Sequence, residues 1–444
     1  MPAQIERRRR AAGRKSTGAG WTHVRMRGIY FACGTPSEGI WDMTSTQWQL
    51  LLVALAATTG LVGVPNFAHA SDDDIVIGFA TSTSGFMVPY DDNPTKMAQV
   101  FIDDTNAKGG LLGRKLRAVF ADAKSDRVEG VKAAQAVVRQ SPDLVFGSCD
   151  YDWGSPAVFE AQKSGKISVY ICAEDPKAGI AGPNAFTTSA VAQEQGVAMA
   201  DWAYDKKGIR TAYVLLDDSA EYNKSVCGGF DWKFPLKGGK IVGRDTFKNG
   251  DASIASQVTK IRDAIASQQI DAVMFCSYPP GGASAMRQIR AGGIDLPVLS
   301  CSAMDGTYWL NSVPGLTNFF IPVAVSIFGD DPRPEVGSLM EKYKAKFNSL
   351  PSTNYGFPVY AFLELWAKAV TKAGTLEPAK VVAVMNTFKD EPTTLGPRTF
   401  APGQHIQMTV PLLIVSVSNG NGKVIDQVYD KEPIPREVLY RTGK

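Results

Sequence analysis

Histidine is nearly absent from this 444-residue chain, which holds only His23, His69 and His405. So small a stock leaves almost no way to assemble a Ser-His-Asp triad, and hardly any way to build a histidine metal site. No Gly-x-x-x-x-Gly-Lys-Ser/Thr loop occurs, and the first apolar strand runs into Thr81-Ser82-Thr83-Ser84-Gly85 instead of a dinucleotide fingerprint. The spacing of Cys149 and Cys172 is not that of a zinc site. An excess of one charge is missing too. There are 47 Lys and Arg against 44 Asp and Glu; residues 1–70 hold eight of the former and three of the latter, which leaves 39 against 41. A near-neutral chain has no electrostatic footprint for nucleic acid. Nor is there a long uninterrupted apolar run: Leu50 to Val64 falls short of the roughly 20 residues that cross a bilayer and is broken by Thr and Gly. No catalytic residue, metal or cofactor is therefore expected, and the expected role is to bind.

What is present has the composition of a soluble globular protein, 44% hydrophobic and 20% charged, at a length that calls for two domains. The run from Leu50 to Val64, followed by the small-x-small site Ala68-His69-Ala70, reads as a signal peptide over 43–70, cut after Ala70. Residues 1–42 fit no such leader and read as an upstream extension, unstructured or artefactual, with Met43 as an alternative start. Five cysteines follow the expected cut, so at least one is unpaired in an exported protein.

From Asp74 onward, strand-like apolar runs alternate with helical patterns, as in a parallel sheet with crossover helices. The strand pattern falls at 75–80, 116–121, 143–147 and 167–172, and a second series at 211–217, 241–247, 271–276 and 297–300 repeats it. Pro94 and Ser155-Pro156 read as helix starts. Helical patterns after 325 place the returning chain against the first lobe before a last strand at 411–417, and several crossings make a hinge. His405 falls in a polar turn and is expected at the surface.

The run Asn106-Ala107-Lys108-Gly109-Gly110-Leu111-Leu112-Gly113-Arg114-Lys115-Leu116, with Asp122-Ala123-Lys124-Ser125-Asp126 after it, resembles the signature of type I periplasmic binding proteins of the branched-chain amino acid (leucine/isoleucine/valine-binding) ABC transporter class. Weaker pieces in the right order, Thr83-Ser84-Gly85, Asp218 to Tyr222 and Ile289 to Ile294, extend the resemblance over nearly all of 74–430. It implies an α/β fold of two doubly wound parallel-sheet lobes joined by three crossovers. These are expected at 71–188 plus 326–398 and at 189–325 plus 399–444. It also implies a monomeric, periplasmic receptor that closes on a small polar, amino-acid-like or other nitrogen-containing solute and delivers it to an ABC permease of the inner membrane. An amide, urea-type or aromatic ligand is an alternative, as is a ligand sensor of the same fold that regulates a partner protein.

Ligands of such sheets sit outside the carboxyl ends of the strands, which makes the loops there the candidate site. Relatives place small hydroxyl residues in the first-lobe loops to hold a carboxylate. This sequence instead has Asp150-Tyr151-Asp152-Trp153-Gly154-Ser155 and Ala173-Glu174-Asp175, and fixed acids repel a carboxylate. Asp150, Trp153, Ser155, Ala173, Glu174 and Asp175, with Ser84 after the first strand, are the first-lobe candidates. In the second lobe the resemblance assigns ligand contact to Tyr222 and Tyr278 and the ammonium-holding role to Asp305. Cys149 and Cys172 end neighbouring strands, as do Cys276 and Cys301. A disulfide in each lobe and buried free thiols both remain open, free thiols being preferred; Cys227 is unpaired on either reading.

Overall fold

The computed structural model describes residues 73–268 and 270–442, so the expected leader and upstream extension lie outside the described residues. β1 (Ile75–Thr81) is buried at every position, as a parallel strand covered on both faces must be. After it come α1 (Val88–Ala107), β2 (Leu116–Asp122), α2 (Arg127–Val138), β3 (Leu144–Gly147), α3 (Tyr151–Lys163), β4 (Ile167–Tyr170) and β5 (Ala185–Thr187). The five strands form one wholly parallel sheet in the order β2-β1-β3-β4-β5. Register sets Phe79 opposite Phe120 on one side and Phe146 on the other, and the rings stack at 5.4 and 5.1 Å. Fully burying Phe79 and Phe146 contributes roughly 1.5–3 kcal/mol each.

The unit then repeats. Through α4 (Gln193–Asp205), β6 (Thr211–Asp217), α5 (Glu221–Leu236), β7 (Lys240–Phe247), α6 (Ala255–Gln268), β8 (Ala272–Cys276), α7 (Gly281–Ala291), β9 (Val298–Leu299) and β10 (Phe319–Val323), the chain lays down parallel strands in the order β7-β6-β8-β9-β10. That is the same winding as the first sheet. In both, the strand order reverses between the first and third strands, which opens a crevice at their carboxyl ends.

α8 (Pro334–Phe347) and α9 (Gly356–Ala373) return to the first lobe. Tyr343 bonds Asn93 of α1 at 3.0 Å, and Phe362 meets Phe146 and Phe186. After α10 (Pro378–Met385) and a hairpin of β11 (Glu391–Thr393) and β12 (Gly396–Arg398), β13 (Leu412–Ser418) joins the second sheet antiparallel to β10, and β14 (Asn421–Val428) pairs with β13. An antiparallel edge thus completes a sheet expected from its pattern to be parallel. The final strand was missed because Asn419-Gly420-Asn421-Gly422 reads as a turn alone.

Two of the crossings run side by side: Thr187 N–H donates to the His405 carbonyl, Val191 N–H to that of Gln407, and Gln407 N–H to that of Ser189. The third, near 324–333, is pinned by Arg333, which bonds Asp331 and the Ala324 carbonyl.

Three local expectations are corrected. α1 begins at Val88, with a proline in its first turn, and Pro94 lies inside it. α3 begins at Tyr151, four residues before Ser155, because the Asp150 carboxylate caps it by accepting from Asp152 N–H. His405 is 2% exposed: its ring stacks on Phe186 at 3.9 Å, Nδ1 lies 2.8 Å from the Ala185 carbonyl and Nε2 2.8 Å from the Asn386 side chain. A polar turn became interior because it crosses the hinge.

Candidate functional site

A cavity of about 40 Å³ lies where the crevices of the two sheets face each other. The first lobe lines it with Met87 and Tyr90 from the β1–α1 region, Cys149, Asp150 and Trp153 after β3, and Cys172 and Glu174 after β4. The second adds Tyr222 after β6, Tyr278 after β8 and Ala303 after β9, and Tyr355 comes in at the start of α9.

Cys149 and Cys172 are joined, Cα to Cα 4.6 Å, so a disulfide ties together the two loops that carry Asp150 and Glu174. The second disulfide is Cys227–Cys276, Cα to Cα 6.0 Å, and this corrects the expectation that Cys227 is unpaired. α5 packs across β8 and carries Cys227 to its end. Cys301, beyond the two-residue β9, keeps a free, buried thiol 3.0 Å from the Ser277 carbonyl.

The two cavity acids are unusual. Burial, countered in part by a hydrogen bond from Gln195, pushes Glu174 up to about 8. Burial and then the charge of Asp152 push Asp150 to about 8 as well. By area both residues are half-buried, and both line the cavity. Glu174 Oε2 accepts from Gln195 Nε2 at 3.0 Å and from the Tyr355 hydroxyl at 3.4 Å, while Oε1 has no hydrogen-bond partner among the described residues. Asp150 Oδ1 accepts from Asp152 N–H at 2.7 Å, and Oδ2 is likewise without a partner among them. Asp150 also takes φ 73° and ψ 148°, a left-handed region costly for a side-chain-bearing residue, so the loop holds this acid at the cavity against backbone strain.

Aromatic rings make most of the remaining wall. Trp153 meets Tyr278 of the opposite lobe edge-on at 6.4 Å, and Tyr90 meets Tyr355 at 5.9 Å, also near perpendicular. Desolvation holds the Tyr90, Tyr222, Tyr278 and Tyr355 hydroxyls above their usual range, so all four are neutral.

Of the candidates read from the sequence, Asp150, Trp153, Glu174, Tyr222 and Tyr278 therefore meet at one cavity, and the others stand outside it. Ser155 bonds the Tyr151 carbonyl and the Tyr170 hydroxyl, and Ala173 is buried with its carbonyl accepting from Thr187. Asp175 joins the lobes through Ser225 at 2.7 Å and Arg441 at 3.2 Å. Ser84, exposed, bonds Asp122. Asp305 stands one layer back: Oδ2 accepts from the backbone N–H and side chain of Asn354 at 2.8 and 3.0 Å, Oδ1 is buried without a hydrogen-bond partner among the described residues, and desolvation raises the carboxyl to about 6.

Sequence reasoning missed Met87, Tyr90, Tyr355 and Ala303. It also missed Gln195, whose Oε1 accepts from the Tyr222 hydroxyl at 2.7 Å and from Ser302 N–H at 2.8 Å. Another omission is Asp91, fully buried and held up near 6 by desolvation, which accepts from Ser82 and Cys149 N–H groups and so fastens the β1 and β3 loops together. An acid in a helix's first turn reads only as a dipole partner, and nothing local separates Asp91 from that ordinary role.

The family model described as periplasmic binding protein matches residues 74–422. The Leu/Ile/Val-binding protein of Rhizobium johnstonii is 26% identical over 360 residues, 79% of this chain and 93% of that protein. A leucine-, isoleucine-, valine-, threonine- and alanine-binding protein of Pseudomonas aeruginosa is 24% identical over 349 residues, covering 78% and 91%. Among solved structures, the Streptococcus pneumoniae branched-chain amino acid transporter substrate-binding protein LivJ, in complex with isoleucine, superposes with a TM-score of 0.71 at 22% identity over 80% of this chain and all of that one. A solute-binding protein of an ABC transporter from Rhodopseudomonas palustris, in complex with 3,4-dihydroxybenzoic acid, gives 0.68 at 18% identity, covering 81% and 98%. With both sheets wound alike around a shared cavity, the chain belongs to the periplasmic binding protein family, of type I fold, and is a solute-binding protein, not an enzyme.

Proposed function

We propose that this chain is the periplasmic substrate-binding component of an ABC transporter, exported with a leader cut after Ala70, and that it captures an amino-acid-like or other small nitrogen-containing solute by hinge closure. In this reading the lobes are 71–188 plus 326–398 and 189–325 plus 399–444. Asp150, Trp153, Glu174, Tyr222 and Tyr278 touch the solute; Ser84, Ser155, Ala173, Asp175 and Asp305 hold the loops around it.

The observation that carries the reading is a cavity walled from both lobes and closed by bonds between them: Glu221 N–H to Asp152 at 2.9 Å, Ser225 to Asp175 at 2.7 Å, and Tyr90 to the Ala303 carbonyl at 3.2 Å. A solute touching both walls favours the closed form by its differential affinity for that form over the open one. The closed monomer then docks on the permease.

The test is a thermal-shift screen of residues 71–444 against amino acids, amides, amines and aromatic acids, since a ligand that binds only the folded form raises its melting temperature. A hit should shrink the radius of gyration in small-angle scattering and change the emission of Trp153, the latter lost in Trp153→Phe. A screen in which no class shifts the protein, or a hit that leaves the scattering unchanged, counts against capture by closure.

A further inference from the structure

The cavity's electrostatics point away from a zwitterion. No Lys or Arg lines it among the described residues; besides the neutral tyrosine hydroxyls, the ionisable groups that do, Asp150 and Glu174, are acids with one oxygen each left without a partner there. A ligand carboxylate would need N–H donors, and four of the backbone donors around the cleft are already taken by the protein itself. Cys149 N–H goes to Asp91 at 2.7 Å, Ser302 N–H to Gln195 at 2.8 Å, Ala303 N–H to the Tyr222 hydroxyl at 3.0 Å, and Asn354 N–H to Asp305 at 2.8 Å. Both acids sit in loops that the Cys149–Cys172 disulfide ties together, so neither is carried away by a freely moving segment.

An acid-lined, aromatic-walled chamber suits a cation. An inorganic ion is the poorer match: calcium asks for six to eight oxygens and magnesium for a near-ideal octahedron, and no group of three or more metal-ligating side chains occurs among the described residues. Organic cations gain from ring faces instead, and charge-assisted hydrogen bonds to a carboxylate are about twice as strong as neutral ones.

We propose that the solute is a small organic cation of the ammonium or guanidinium type that carries no carboxylate, held by the free oxygens of Asp150 and Glu174 between the rings of Tyr90, Trp153, Tyr278 and Tyr355. This rests on the receptor reading and narrows it. The raised affinity of both carboxyls for protons agrees with it, because a bound cation supplies the neutralisation that protons otherwise provide.

Isothermal titration of the mature chain with choline, putrescine and agmatine, and with leucine, glutamine and benzoate as comparators, decides the matter. At least one of the three cations is expected to bind with a micromolar or lower Kd. Glu174→Gln and Asp150→Asn should each weaken it tenfold or more, Trp153→Leu should weaken it as well, and Glu160→Gln, on the surface of α3, should leave it unchanged. Leucine, glutamine or benzoate binding while all three cations stay silent overturns the cation assignment and leaves the receptor reading standing. Cation binding unmoved by both acid substitutions overturns the site, and silence from all six probes overturns the assignment and the receptor reading together.

Discussion

Replacing Glu174 by glutamine should stabilise the ligand-free protein, and by an amount that grows with pH. The substitution keeps the shape and the acceptor that Gln195 Nε2 and the Tyr355 hydroxyl donate to, and removes only the ionisation. The carboxyl's folded value of about 8 lies above its ordinary 4.5. Between those two values the folded state keeps a proton that the unfolded chain releases, so stability falls as pH rises through that window. Relative to a side chain that cannot ionise, the deficit is about 1 kcal/mol at pH 5, about 3 kcal/mol at pH 7 and about 5 kcal/mol at pH 9. These figures are ceilings, because any opening of the cleft hydrates the carboxylate and returns part of the cost. Urea denaturation of both proteins, followed by far-ultraviolet circular dichroism at the three pH values, measures the difference directly. A variant whose gain is the same at pH 5 and pH 9, or that is less stable than the parent throughout, would show that Glu174 is an ordinary hydrated acid and that the cavity is not the low-dielectric chamber described above.

Removing the Cys227–Cys276 bridge with a pair of serines should cost about 4 kcal/mol, and removing Cys149–Cys172 about 3 kcal/mol, from the chain-entropy dependence on loops of 49 and 23 residues. If the two losses rank in the opposite order in urea melts, loop entropy is not what governs them. Gly196→Ala should destabilise by about 2 kcal/mol, because α4 and α5 approach so closely that a Cβ there meets the Val226 carbonyl; an unchanged melting temperature would mean the helices can part freely. His405 is held below its usual value by burial, so the folded state refuses a proton that the unfolded chain accepts, and this contribution is lost as pH falls below about 6.5. The melting temperature should therefore drop less between pH 7 and pH 5 in His405→Gln than in the parent, and parallel profiles would remove the ring from the account.

How much of this was legible in the sequence follows from the range of each interaction. Alternating β-branched and helical runs gave two similar parallel-sheet lobes, because a strand buried on two faces and a helix with one apolar face announce themselves over a few residues; the double winding came from the family resemblance. The rule that ligands lie beyond strand ends then led to Asp150, Trp153 and Glu174, and the family resemblance to Tyr222 and Tyr278, each within about six residues of a strand terminus. Tyr355 escaped because it belongs to the returning segment and reaches the cavity from nearly two hundred residues beyond Glu174 in the chain. Tyr90 escaped because an aromatic near a helix start reads as core, which by burial it also is. Cys227 met Cys276 across the face of a helix, where strand-neighbour reasoning looks only sideways.

The acids of the first-lobe loops were visible as a departure from the family pattern, and on their own they were ambiguous, since loop acids are most often solvated. What bears on the ambiguity is a set of groups that bond the protein's own backbone at the cleft. Asp91, Gln195 and Asp305, with the Tyr222 hydroxyl, fill four backbone donors of the cleft from within. A carboxylate seeking one of these four donors must displace its internal acceptor, leaving that acceptor buried and unpaired at a cost of about 1–3 kcal/mol, or more for a charged one. A cation meets no such obstacle, because the oxygens it needs are the ones the fold left open. On the cation assignment proposed above, selectivity is set by the side chains that occupy the cleft's own donors as well as by those that face the solute, and a sequence comparison confined to the facing positions would miss the former.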